Sequence, residues 1–189
     1  SPVVVGVVIA AVAFFIFVGG ISRIASVTEK VVPIMAGLYI IGCVVVLCIN
    51  HSTFMEAFRL IFVSAFDPQS IAGGIIGVTV QKAMRYGVAR GLFSNEAGMG
   101  STPHAHAVAK VNHPHEQGVV AMIGVFIDTF IILTLTALVI ISSGMWDSGL
   151  TSIELAQASF NAALGSFGNI FIAVCLLFFA FSTIVGWYY

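Results

Sequence analysis

Long uncharged runs alternate with short polar stretches along this chain. Residues 3–21 and 31–49 hold no Asp, Glu, Lys or Arg, residues 118–143 hold only Asp128, and residues 167–189 again hold none. Each run is close to the ~20 residues that an α-helix needs to cross the hydrocarbon core of a bilayer. The pattern therefore predicts four continuous spans, at 3–21, 31–49, 118–143 and 167–189. Two shorter stretches, 53–66 with Glu56 and Arg59 among apolar residues and 150–164 with Glu154, predict interfacial amphipathic helices.

Composition names the solvent. Hydrophobic residues make up 59% of the chain and charged residues 8%, and the mean hydropathy is +1.09, so the expectation is an all-α integral membrane protein. The formal net charge is −1 and no basic run is present, which excludes a nucleic-acid partner and leaves the lipid bilayer as the first one. Cys43, Cys48 and Cys175 lie in apolar runs without metal-ligand spacing and read as small buried hydrophobes. Ser1-Pro2 leads at once into an apolar run with no charged n-region, so no signal peptide is expected. With the last residue, Tyr189, still inside a helical pattern, the chain reads as a fragment of a longer polypeptide.

The few cations give an orientation. Arg23 and Lys30 flank the connection between the first two runs and Lys110 precedes the third, whereas the connection after it carries Asp147 and Glu154. By the positive-inside bias the first connection and the region of Lys110 are cytoplasmic, and residues 50–70 lie outside, with Arg59 a mild exception. One crossing is then required between about residue 70 and residue 110, and no uninterrupted apolar run is available for it. The segment 80–112 holds Lys82, Arg85, Arg90 and Glu96, and glycines recur from Gly73, Gly74 and Gly77 through Gly87, Gly91, Gly98 and Gly100. Such a crossing predicts a discontinuous transmembrane helix, whose non-helical backbone is tolerated only where it is buried in protein or lines a site. Residues 80–93 form the outer half, Ser101 or Thr102 caps an inner half with Pro103 in its first turn, and the joint is 94–100.

That joint, in the stretch Gly91-Leu92-Phe93-Ser94-Asn95-Glu96-Ala97-Gly98-Met99-Gly100-Ser101-Thr102-Pro103, is the candidate for chemistry. A helix C-terminus offers free carbonyls and a helix N-terminus offers free N–H groups. Carbonyls with the Ser94 and Asn95 side chains suit sodium or an ammonium group, and the N–H groups suit a carboxylate; an amino acid carries both charges. Glycines allow close approach to a ligand, or tight helix packing. Asp128, about ten residues into its run, is either an ion-pair partner of Arg90 or Arg85, or a cation ligand. Glu96 is either a contact to a substrate amine or sodium, or a cap for N–H groups that the break frees.

The block Arg90-Gly91-Leu92-Phe93-Ser94-Asn95-Glu96-Ala97-Gly98-Met99-Gly100-Ser101 resembles the signature of the alanine or glycine:cation symporter family of sodium:amino-acid transporters. The likeness extends to Gly19-Gly20-Ile21-Ser22-Arg23-Ile24-Ala25 with Glu29 and Pro33, to Gly124-Val125-Phe126-Ile127-Asp128-Thr129, and to Phe179-Ala180-Phe181-Ser182-Thr183-Ile184-Val185-Gly186-Trp187. It implies a transporter fold of two inverted five-helix repeats, of which this chain holds helices 4 to 8, with the joint as the break of the sixth. It implies sodium-coupled symport of alanine or glycine across a bacterial or archaeal plasma membrane, with a proton as the alternative coupling ion, and a remainder of the polypeptide that supplies the other contacts. Substrate contacts are then expected at Ser94, Asn95, Glu96, Ala97, Gly98, Gly100 and Trp187. Sodium contacts are expected at Thr183, Ser182 and Asp128, because the eighth helix of such folds offers adjacent hydroxyls; without the likeness, Ser182 and Thr183 read as hydroxyls bonded back to their own helix.

The rival class is an intramembrane hydrolase with Ser94 or Ser101 as nucleophile and His104 or His106 as base. No GxSxG elbow accompanies these serines. His104, His106, His113 and His115 form the one metal-like cluster, without an HExxH motif beside it.

Overall fold

The computed structural model describes residues 2–66 and 78–188, and every regular element among them is helical. In chain order these are α1 (Pro2–Val18), α2 (Gly20–Ile49), α3 (His51–Phe66), α4 (Val78–Ser94), α5 (Ser101–Ala107) and α6 (Pro114–Phe126). A π-helical turn at Ile127–Ile132 carries α6 directly into α7 (Leu133–Ser142). A 3-10 turn at Met145–Asp147, α8 (Ser152–Leu164) and α9 (Ser166–Tyr188) complete the order. Gly73, Gly74 and Gly77 of the glycine-rich crossing lie outside the described residues. Gly20–Ile49, Pro114–Ser142 and Ser166–Tyr188 are each long and apolar enough to cross a membrane.

The chain divides into two compact units, one formed by residues 1–49 and 143–189, the other by 50–142. In the first, α9 packs against α8 and α2, and α1 packs against α2 and α9. Small residues bring these helices together. A Cβ at Gly42 on α2 would meet the Phe171 ring, and one at Gly168 on α9 would meet the backbone carbonyl of Phe160 on α8. Around these approaches lies an aromatic cluster: Tyr39 meets Phe179 edge-on at 5.5 Å between centroids, and Phe160 stacks on Phe171 at the same separation. Aromatic pairs of this kind contribute about 0.5–1.5 kcal/mol beyond the area they cover. Cys43 and Cys175 are buried here, whereas Cys48 is exposed.

The connection between the first two apolar runs is itself helical: α1 ends at Val18 and α2 begins at Gly20, so the polar residues 22–30 lie in the first part of a 30-residue helix whose second part is the run 31–49. The elbow turns at Gly20, whose φ is +69°. Arg23 folds back over it, donating from Nη1 to the Phe15 carbonyl at 3.0 Å and placing its guanidinium 4.7 Å from the Phe15 ring centroid. That bond satisfies one of the carbonyls left unpaired at the end of α1. Gly19 leaves the room: a Cβ there would collide with the Arg23 stem. A polar stretch that supplies its own cap has no need of a loop.

In the second unit α3 packs on α7, and Thr53 donates its hydroxyl to the Ser142 carbonyl at 2.9 Å. Val139 of α7 is fully buried and Ala57 of α3 nearly so. α6 opens with Pro114 in its first turn, behind the N-cap His113, whose ring nitrogen accepts from the His115 N–H.

Candidate functional site

The site is built where α4 stops. The Ala97 N–H bonds to the Leu92 carbonyl at 2.9 Å and the Glu96 N–H to the Phe93 carbonyl at 3.1 Å, the paired 6→1 and 5→2 bonds of a Schellman motif. In that motif the residue after the C-cap adopts a left-handed conformation, usually as glycine. Here it is Glu96, with φ +51°. A left-handed residue that bears a Cβ costs about 1–2 kcal/mol, so the surrounding structure must hold it. Ser101 donates its hydroxyl to Glu96 Oε2 at 2.6 Å and Thr102 donates to the same oxygen at 3.2 Å. The carboxylate thus reaches across the break and grips the first turn of α5.

Between the two helices, residues 95–100 form turns. Gly98 and Gly100 are left-handed as well, with φ +77° and +85°, so alternate positions Glu96, Gly98 and Gly100 share this conformation. Gly100 is the N-cap of α5. This corrects the expectation that Ser101 or Thr102 caps it: both hydroxyls are directed to Glu96, and the glycine supplies the turn by conformation alone. Pro103 sits in the first turn.

Asn95 and Ser94 tie the break to the π-helical turn. Asn95 Nδ2 donates to the Gly91 carbonyl at 3.0 Å, and its Oδ1 accepts from the Thr129 hydroxyl at 3.1 Å. Ser94 donates its hydroxyl to Asp128 Oδ2 at 2.8 Å. Of the two sequence readings of Asp128, the partner found is neither Arg90 nor Arg85 but this hydroxyl. Thr129 received no role in the sequence reading; a hydroxyl beside a carboxylate in an otherwise apolar run was the available signal. The π turn itself has no counterpart in the hydrophobic pattern.

The serine–histidine pairs of the hydrolase reading are not assembled. Ser94 and Ser101 donate to Asp128 and Glu96, His104 Nδ1 lies 2.6 Å from the Gly100 carbonyl, and His106 Nδ1 is engaged by Gln117 Nε2. No group of three His, Cys, Asp or Glu among the described residues could hold a metal ion. A cavity of about 590 Å³ beside α5 is lined by Thr102, Pro103, His106, Gln117, Gly118 and Ala121, among others.

In the other unit, Ser182 and Thr183 on α9 both donate to the Phe179 carbonyl, at 2.9 and 2.8 Å. Trp187, one helical turn beyond Thr183, is exposed.

The profile of the sodium:alanine symporter family matches residues 1–189. The amino-acid carrier protein AlsT of Bacillus subtilis is 42% identical over 189 residues, covering 100% of this chain and 40% of AlsT. The sodium/alanine symporter AgcS of Methanococcus maripaludis is 40% identical over 193 residues, covering 100% of this chain and 42% of AgcS. A sodium/proton-dependent alanine carrier of Bacillus sp. strain PS3 is 37% identical over 201 residues, covering 98% of this chain and 44% of the carrier. The chain therefore spans less than half the length of these relatives.

Proposed function

The chain belongs to the sodium:alanine symporter family, and from that premise we propose that it forms part of a secondary transporter coupling sodium to the uptake of alanine or glycine across a bacterial or archaeal cell membrane. On this reading it supplies helices 4 to 8 of a two-fold inverted repeat, with α4 and α5 as the halves of a broken sixth helix.

The observation that carries the proposal is the break itself, with Glu96, Gly98 and Gly100 left-handed at alternate positions. Backbone that alternates in this way turns N–H groups towards one side and makes a concavity suited to an anion, here the substrate carboxylate. The Ala97 and Met99 N–H groups are bonded to the Leu92 and Glu96 carbonyls, so the groups proposed to meet the carboxylate are those of Gly98 and Gly100. Ser94, Asn95, Glu96 and Ala97 complete the proposed binding segment, and Trp187 is a proposed pocket wall.

For sodium, Ser182, Thr183 and Asp128 are the proposed contacts. A hydroxyl that donates its proton back to its own helix keeps its lone pairs free for a cation, which is the state of both α9 hydroxyls. An intramembrane carboxylate is costly without a counter-charge, and sodium would supply one to Asp128. Substrate and ion then raise each other's affinity by the same factor.

The test is uptake of labelled alanine by proteoliposomes holding the full-length protein. An inward sodium gradient should drive accumulation, and replacing external sodium by potassium should remove it. Uptake at the same rate in both media overturns sodium coupling; if a proton gradient drives it instead, the coupling ion is the proton.

A further inference from the structure

We infer that Thr129 is a positioning residue for the substrate-binding break and that the π-helical turn is what presents it. The inference rests on the reading of the break as the binding segment and goes beyond it by naming a residue that acts from outside that segment.

Two consecutive residues at the end of α4, Ser94 and Asn95, pair in the same order with two consecutive residues of the π turn, Asp128 and Thr129, at 2.8 and 3.1 Å. In an α-helix consecutive side chains diverge by about 100°. A π turn, closed by i→i+5 bonds, is wider and lessens that divergence, and the turn at Ile127–Ile132 includes both partners. Two adjacent rungs to one neighbouring strand of backbone are what the α geometry would make difficult.

The rung at Thr129 matters most to the ligand. The Asn95 amide is held at both ends, by the Gly91 carbonyl and by the Thr129 hydroxyl. Asn95 is the C-cap residue immediately before the left-handed Glu96, so the orientation of its peptide sets the path of residues 96–100. Without the Thr129 donor, Oδ1 loses its protein partner, the amide is held only through Nδ2 at the Gly91 carbonyl, and the backbone that meets the ligand is less firmly pre-arranged. Loss of pre-arrangement weakens binding without removing a group that touches the ligand.

Two variants separate the hydroxyl from the bulk. Thr129→Val keeps the branched shape and deletes the donor; Thr129→Ser keeps the donor and deletes the methyl. Alanine uptake by the full-length protein should show KM raised about tenfold in Thr129→Val with the maximal rate per protein within about twofold, the size expected for one unsatisfied acceptor. Thr129→Ser should stay near the parent. Amide hydrogen exchange of residues 95–100, measured without substrate, should quicken at least about fivefold in Thr129→Val and remain slow in Thr129→Ser. A Thr129→Val protein that matches the parent in both measurements, or a Thr129→Ser protein as impaired as Thr129→Val, overturns the assignment. If the parent shows no cation-driven uptake at all, the proposed function fails, and the exchange comparison alone decides the role of Thr129. Should Thr129→Val not accumulate in the membrane, Thr129→Cys, a weak donor of similar size, is read in the same way with about a threefold rise expected.

Discussion

Glu96 and Ser101 stand on opposite sides of the helix break and are joined by a 2.6 Å hydrogen bond from the serine hydroxyl to the carboxylate. The residue that makes this bond is also the one held in a left-handed conformation, at φ +51°. Sparsely populated backbone conformations persist where the surroundings over-determine them, and they gather at ligand sites.

That pairing gives an unusual order of variant stabilities. Glu96→Ala loses both hydroxyl bonds and keeps the backbone strain, whereas Glu96→Gly loses the same bonds but relieves about 1 kcal/mol of strain. Glycine should therefore be the more stable of the two by about that amount, the reverse of the order inside a helix. Thermal unfolding in detergent measures it; alanine above glycine would mean that Glu96 is not held left-handed.

Gly98→Val should abolish uptake, while Ser94→Ala and His106→Ala retain part of it. The space around Gly98 is open, so the damage comes from backbone and not from collision: φ +77° is a region that a β-branched residue does not enter without strain. A serine–histidine hydrolase predicts the opposite ranking, since losing either member removes most of the chemistry. Uptake normalised to protein in the membrane decides between the two.

Thr183→Ala is expected to lower the apparent sodium affinity about tenfold, equivalent to ~1.4 kcal/mol, with unchanged amounts of protein in the membrane. Ser182→Ala should do the same more weakly. Sodium activation curves that superimpose on the parent's would assign both hydroxyls to helix bonding alone.

Packing of α8 against α9 supplies a structural control. Gly168→Ala places a methyl against the Phe160 carbonyl, a backbone atom that cannot swing aside, and should destabilise by about 3 kcal/mol or more. Gly42→Ala meets the end of the Phe171 ring, which can turn, and should cost less. Melting temperatures of the two variants give the order.

The interruption between Ser94 and Ser101 is legible in the sequence because glycines and a carboxylate in a segment that must cross lipid leave few other solutions. Its internal geometry is not. Glu96 occupies a position where residue preference points to glycine, and the two hydroxyls five and six residues on help to hold it there. The π turn is hidden for a different reason: Ile127-Asp128-Thr129-Phe130-Ile131-Ile132 is apolar on most sides, and a change from i→i+4 to i→i+5 bonding leaves the hydrophobic pattern almost unaltered. The helical course of residues 22–30 is not legible in the charge pattern, because Arg23 serves to end one helix from within the next. Thr28 likewise bonds back to the Ile24 carbonyl, which suits a helix as well as it suits a turn.

The Arg23 clasp also has a mechanical consequence. Since α1 and α2 meet at Gly19 with no intervening loop and a guanidinium fastens the corner to Phe15, there is no slack segment to absorb displacement. Tilting one arm against the other must therefore either turn the backbone at Gly19 and Gly20 or pull the cation off the carbonyl that anchors it.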